Sequence, residues 1–71
     1  MTDNVYAISE IVGTSSDGID AAIRIAVARA NRTLRNLDWF EVAEVRGHIV
    51  DGEVEHFQVR LKVGFRLDED G

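Results

Sequence analysis

From His56 to Leu67 the chain alternates without a break: Phe57, Val59, Leu61, Val63, Phe65 and Leu67 are apolar, while His56, Gln58, Arg60, Lys62, Gly64 and Arg66 are polar or small. A period of two over that length predicts one long β-strand with a core face and a polar face. At ~3.3 Å per residue the stretch from Phe57 to Leu67 spans roughly 35 Å. The rest of the 71 residues holds a single helical pattern, and one helix cannot cover both faces of so long a sheet. One face is therefore open.

The helical pattern follows a turn segment, Gly13-Thr14-Ser15-Ser16-Asp17-Gly18. Ser15 or Ser16 is expected to cap the helix start, with Asp17 and Asp20 near its positive end. Ile19, Ala22, Ile23, Ala26, Val27, Ala30, Leu34 and Leu37 recur at three and four, and Asp20, Arg24, Arg29, Arg32 and Arg35 fall mostly off that stripe. The alanines let the helix axis lie close to a sheet. Before it, Val5 to Val12 reads as a first strand, with Tyr6, Ile8 and Val12 in one parity and Glu10 as the exception.

The middle strand is less regular. Phe40 and Val42 hold even parity, Val45 and Ile49 odd. A strict period of two cannot bury all four, which predicts a β-bulge near Ala43 or Glu44. Trp39, Glu41, Arg46 and His48 then face away from the helix. Asp51-Gly52 signals a hairpin. Since cross-strand partners share a face, Val45 and Ile49 meet the odd face of the last strand only with an odd loop, such as Val50-Asp51-Gly52 with Gly52 left-handed. Gln58 then lies across from the Glu44 to Arg46 region. The expected fold is α+β, with order β-α-β-β and a three-stranded antiparallel sheet around one helix, in one domain over residues 1–71.

A lone chain of this length hides only about 60% of the surface its unfolded form exposes. With no cysteine and no cluster of structural-metal ligands, self-association is the remaining common stabiliser. Thirteen acidic against eight basic residues give a net charge of −5, which disfavours nucleic acid or an anionic membrane as partner. No apolar run approaches the ~20 residues of a membrane span, and no signal peptide opens the chain. A cytoplasmic location is expected. The open face presents Trp39, Gln58 and a flat Gly64 among arginines and carboxylates, a composition suited to a hydrogen-bonded interface.

These residues resemble the dodecins, small flavin-binding proteins of bacteria and archaea. The resemblance is carried by Glu10 to Ser15, Thr33 to Val42, Arg46-Gly47, Phe57-Gln58-Val59 and Val63 to Leu67, with no insertion or deletion. It implies a hollow homododecamer of cubic symmetry built from trimers, with the sheet wrapped around the helix. It also implies flavins (FMN or riboflavin) stacked in pairs between subunits. On that resemblance Trp39 stacks on the isoalloxazine, Gln58 bonds the polar edge of the ring, and Arg46 and Arg66 contact the phosphate of FMN. Some bacterial members also bind coenzyme A, through basic side chains near the helix.

The chemistry of these residue types agrees. An indole supplies a large face for a wide, electron-poor ring. A neutral carboxamide serves the carbonyl acceptors and the N–H donor of the pyrimidine edge together. Arginine takes phosphate in a planar fork. The chain has no cysteine, nicotinamide fingerprint or nucleophile elbow, and a flavin clamped on both faces is poorly placed for hydride transfer, so no enzyme is expected. The expected role is storage or buffering of the flavin with damping of its photochemistry. The alternatives are a structural or adaptor oligomer, with coenzyme A as a further ligand candidate, and a small enzyme using His48 or His56. Those two histidines, with Glu44 or Glu55, could form an acid-base or metal cluster, but two histidines without a clear third ligand do not make a catalytic zinc site. Arg46 and Arg66 could equally form salt bridges with Glu41, Glu44 or Asp68.

Overall fold

The computed structural model describes residues 3–68. Its elements are β1 (Tyr6–Ser15), α1 (Ile19–Ala30), β2 (Leu37–Val50) and β3 (Glu53–Arg66), in the expected β-α-β-β order. β3 is the centre of one antiparallel sheet of order β1-β3-β2. Its odd residues Val59, Leu61 and Val63 are the three largest fully buried side chains. Against Val59 and Leu61 lie Ala22 and Ala26 of α1, flanked by Ile11, Ile23 and Val27. The alanine stripe does what its small size allows. Gly13 of β1 is pressed so close to α1 that an added Cβ would meet the Ala22 carbonyl oxygen and come within 2.7 Å of the Ala26 Cβ.

The helix is shorter than its apolar stripe. Ala30 is its last residue, Asn31 caps it, and the Leu34 amide donates to the Ala30 carbonyl at 2.9 Å. Leu34 thus sits in the exit turn, and Leu37 already belongs to β2. The apolar spacing continues past the helix because the chain exits along the same core. Neither serine caps the start: Gly18 holds that place at φ 141°, and the Ser15 hydroxyl instead accepts from the Asp17 amide at 3.0 Å. In β1 the odd residues Ala7, Ser9, Ile11 and Gly13 are the covered ones, and the apolar set Tyr6, Ile8 and Val12 points outward.

The bulge expected in β2 is present. Val42 pairs with Leu61 and Glu44 with Arg60, leaving Ala43 without a partner. Phe40, Val42 and Val45 thereby all meet odd residues of β3, and Trp39, Glu41, Arg46 and His48 meet even ones. The hairpin is different from the expected odd loop. Asp51 (φ 53°) and Gly52 (φ 80°) form a two-residue turn between Val50 and Glu53. Positive φ at both positions is the type I′ pattern, whose twist suits a hairpin. The parity is then corrected by a second bulge, because His48 pairs with His56 but Ile49 pairs with Val54, which leaves Glu55 over. Ile49 does not reach the core and is 67% exposed. A third irregularity leaves Asp38 unpaired, next to Asn36 at φ 65°.

The helix packs mainly on β1 and β3. Phe40, Val42 and Val45 on the helix side of β2 stay 42–50% exposed. The chain is 55 Å along its greatest extent, with a radius of gyration of 14.8 Å, where a compact domain of this length has about 11 Å. It exposes 5282 Å², against roughly 4,400 Å² for a compact monomer of its mass. The tightest contact gives a direct check. Gly13→Val forces a side chain into the Ala22 backbone and is expected to cost at least about 1–3 kcal/mol, read as a lower denaturant midpoint at fixed protein concentration. An unchanged midpoint would contradict the close helix approach.

Candidate functional site

The open face is built from the even residues of β1 and β3 together with the residues of β2 that pair with them. β3 is straight enough to hold Gln58, Arg60, Lys62, Gly64 and Arg66 in one row, and the Ala43 bulge keeps β2 in phase with it. The row carries two separate groupings of the expected residues.

At one end Trp39 pairs with Gly64. The indole lies directly on the glycine: a Cβ there would be 2.7 Å from Trp39 Cδ2 and closer still to Cε2 and Cζ2. Gly64 is buried beneath the ring, while Trp39 itself remains 41% exposed. No other residue lets an aromatic system lie flat on the sheet at this position. Arg66 follows two residues later on the same face, opposite Tyr6 of β1. Asn36, held in the left-handed region, accepts from the Arg66 amide at 3.0 Å and donates through Nδ2 to the Arg66 carbonyl at 3.1 Å and to the Asp68 carboxylate at 2.9 Å. These bonds fix the backbone from which the Arg66 guanidinium projects. The Tyr6 phenol is held above its ordinary range, chiefly by its hydrogen bond with the Asp38 carboxylate.

At the other end Gln58 pairs with Arg46, as the strand reading required. With Val12, Glu44 and Arg60 they line an open depression of about 340 Å³. Arg46 is engaged there: its Nη2 donates to Glu44 Oε1 at 3.0 Å. Arg60 lies 3.6 Å from the same Glu44 oxygen and 3.5 Å from Glu10. Two arginines and two glutamates thus cancel around Gln58, and a neutral polar edge fits this depression better than a free anion. Among the described residues Arg66 forms no comparable ion pair, so of the two arginines it is the one available to an incoming anion.

The structure does not bring Trp39 and Gln58 together in one copy. They sit at Gly64 and Gln58 on β3, six residues or about 20 Å apart. A ligand that touched both kinds of side chain would have to take them from different copies. The contribution of Tyr6, Ile8 and Val12 to this face was hidden in the sequence, where an apolar parity reads as a core face. Only the pairing of those residues with Arg66, Gly64 and Arg60 reveals it. Arg24, Arg29, Arg32 and Arg35 are exposed, and Arg35 pairs with Asp68 at 3.3 Å. Arg24 also lines a groove between α1 and β2 with Ile23, Val27 and Phe40. No helix among the described residues is long and apolar enough to cross a membrane.

Comparison with known proteins agrees with this architecture along nearly the whole chain. The family model described as Dodecin matches residues 5–68. The dodecin of Thermus thermophilus is 58% identical over 65 residues, which are 92% of this chain and 94% of that protein. Among solved structures, the dodecin of Streptomyces davaonensis is 57% identical with a TM-score of 0.92, covering 96% of this chain and all of that one. The dodecin of Streptomyces coelicolor is 61% identical with a TM-score of 0.91, covering 97% and 99%. On sequence, fold and extent of match, the chain belongs to the dodecin family.

Proposed function

We propose that this protein is a non-catalytic flavin store: it assembles into a homododecamer of trimers, holds FMN or riboflavin between subunits, and quenches the excited ring. The observation that carries this reading is the indole of Trp39 lying on Gly64 with much of its surface uncovered. An indole used as a core plug would be buried, and one without a purpose for its position would not need a glycine beneath it. A flat ligand stacked on the exposed face would bury apolar area on both sides of the contact. A second copy related by a two-fold axis would supply the matching indole, as isologous contacts require.

The division of the site into two groupings supports the same reading. Gln58, in its charge-balanced depression, suits the pyrimidine edge of the ring, with its carboxamide N–H and C=O meeting carbonyl and N–H. Arg66, close to the Trp39 end, suits the phosphate. We assign Arg46 to the same site as a contact made in competition with Glu44, since the guanidinium already holds that carboxylate. Self-association is supported by the small core and the excess exposed surface, with Ile8, Val12, Phe40 and Val45 all at least 45% exposed. Coenzyme A, if bound, would find its anionic groups served by the exposed arginines of α1.

The test is optical. FMN added to excess protein should lose its fluorescence, and the mass of the intact assembly under native conditions should report twelve copies with bound flavin, as the family resemblance implies. Fluorescence that stays unquenched would favour a flavin-free structural oligomer. Trp39→Ala should sharply weaken flavin binding with the assembly largely intact, because the strand edges rather than this ring join the copies. Gly64→Val should do the same with the tryptophan still present, since the added side chain displaces the indole. Arg66→Ala should weaken FMN by about 10- to 100-fold, the range of one charge-assisted hydrogen bond, and riboflavin much less. Equal losses for the two ligands would remove the phosphate role of Arg66.

A further inference from the structure

We infer that Asn36, helped by Arg35, holds the Asp68 carboxylate off Arg66 and so keeps that guanidinium free for an anion; that the anion is a flavin phosphate rests on the flavin reading. Asp68 is the carboxylate best placed by the chain to neutralise Arg66. The pairing of β3 with β1 runs on past Arg66, since the Leu67 amide donates to the Val5 carbonyl at 2.8 Å. Side chains two residues apart on extended backbone share a face, with Cα atoms about 7 Å apart, within the span of a long arginine. Yet Asp68 is committed elsewhere. Its Oδ1 accepts from Asn36 Nδ2 at 2.9 Å, and its Oδ2 lies 3.3 Å from Arg35 Nη2. Both carboxylate oxygens are engaged by the two residues that precede β2.

Asn36 is the firmer of the two holds. Its carbonyl accepts from the Arg66 amide at 3.0 Å, and its Nδ2 also donates to the Arg66 carbonyl at 3.1 Å. The same amide group therefore bonds the Arg66 backbone and the Asp68 carboxylate together. Its φ of 65° is one that asparagine tolerates better than most residues. Arg35 adds less, because the side chains of Arg35 and Asp68 are 80% and 43% exposed and exposed ion pairs contribute little. The result differs from the other end of the β3 row, where Arg46 and Arg60 both lie against Glu44. Arg66 is half-buried and forms no ion pair among the described residues, although an acidic residue follows it two places on.

A double-mutant cycle tests this. Asn36→Gly keeps the left-handed backbone, which glycine adopts freely, and the main-chain bond to Arg66; it removes only the Nδ2 bonds. In crystals of that variant without flavin, Asp68 is expected within about 4 Å of the Arg66 guanidinium, the reach of an ion pair. Quenching titrations of the assembled variant at low ionic strength should show FMN weakened by about 3- to 5-fold, the upper effect of an exposed pair, and riboflavin unchanged. Adding Asp68→Asn to Asn36→Gly should restore FMN affinity, whereas Asp68→Asn alone should change it little. An Asp68 that stays away from Arg66 in Asn36→Gly overturns the inference and leaves the flavin reading standing. So does a loss that Asp68→Asn fails to restore, which would mark Asn36 as a backbone brace only, and so does an equal effect of Asp68→Asn in both backgrounds. If Arg66→Ala itself weakens FMN and riboflavin equally, the phosphate reading falls, and the anion role of this arrangement falls with it.

Discussion

The odd-numbered side chains of β3 are the contact on which the rest of this chain depends. Val59, Leu61 and Val63 are wholly or almost wholly buried; Val59 and Leu61 pack against the alanine stripe of α1, and the strand itself lies between β1 and β2. Placing the strand centrally leaves both β1 and β2 as edges. It also turns the even residues of β3 into a continuous outward row. The core is small for two reasons that act together: alanines bring the helix close, and the helix is only 12 residues long. Surface that a larger domain would cover by itself remains available to other copies.

Three irregularities in pairing put the candidate site residues in place. Leaving out Ala43 keeps Trp39 and Arg46 on the same face although both neighbouring segments carry core residues of opposite parity. Leaving out Asp38 lets Trp39 start in register over Gly64, next to the left-handed turn at Asn36. Leaving out Glu55 reconciles a tight two-residue turn with the register further along. Each bulge changes the face on which subsequent side chains fall, so a shift of one residue would exchange core for surface throughout the strand.

Much of the fold was legible because alternation and helical spacing are local signals. β3, the Ala43 bulge, the Gln58 to Arg46 pairing and the outward direction of Trp39 all follow from parity. The misread features are those in which local patterns serve distant contacts. Leu34 and Leu37 continue the helical spacing after the helix has ended, since the exit turn lies along the same core. The Asp51-Gly52 dipeptide allowed a tight turn, but the bulge that corrects its parity left no mark at Glu55. The apolar set on β1 looked like a core face and proves to be outward, because the residues beneath the helix there are Ala7, Ser9, Ile11 and Gly13, chosen for close approach rather than for bulk. The candidate site was legible in its residue types and not in its partition between two ends of one strand.

That partition bears on how assembly and binding are linked. With Trp39 and Gln58 about 20 Å apart on a single sheet, no copy offers both side chains to one ligand. On the flavin reading, the ligand therefore has high affinity only for the assembled form, and by mass action it stabilises that form by an amount that grows with the logarithm of its concentration over its dissociation constant. On the same reading the charge pattern favours one direction for the ligand. The Gln58 depression carries two arginines balanced by two glutamates and offers little to an anion, whereas Arg66 stands near the indole on a backbone braced by Asn36. Reversing the ligand would set its phosphate against Glu44 and Glu10 and its neutral edge against Arg66. On that reading the indole alone would tolerate either orientation, and the contrast between the charge-balanced surroundings of Gln58 and Arg66, unpaired among the described residues, brought together from different copies, would favour a single one.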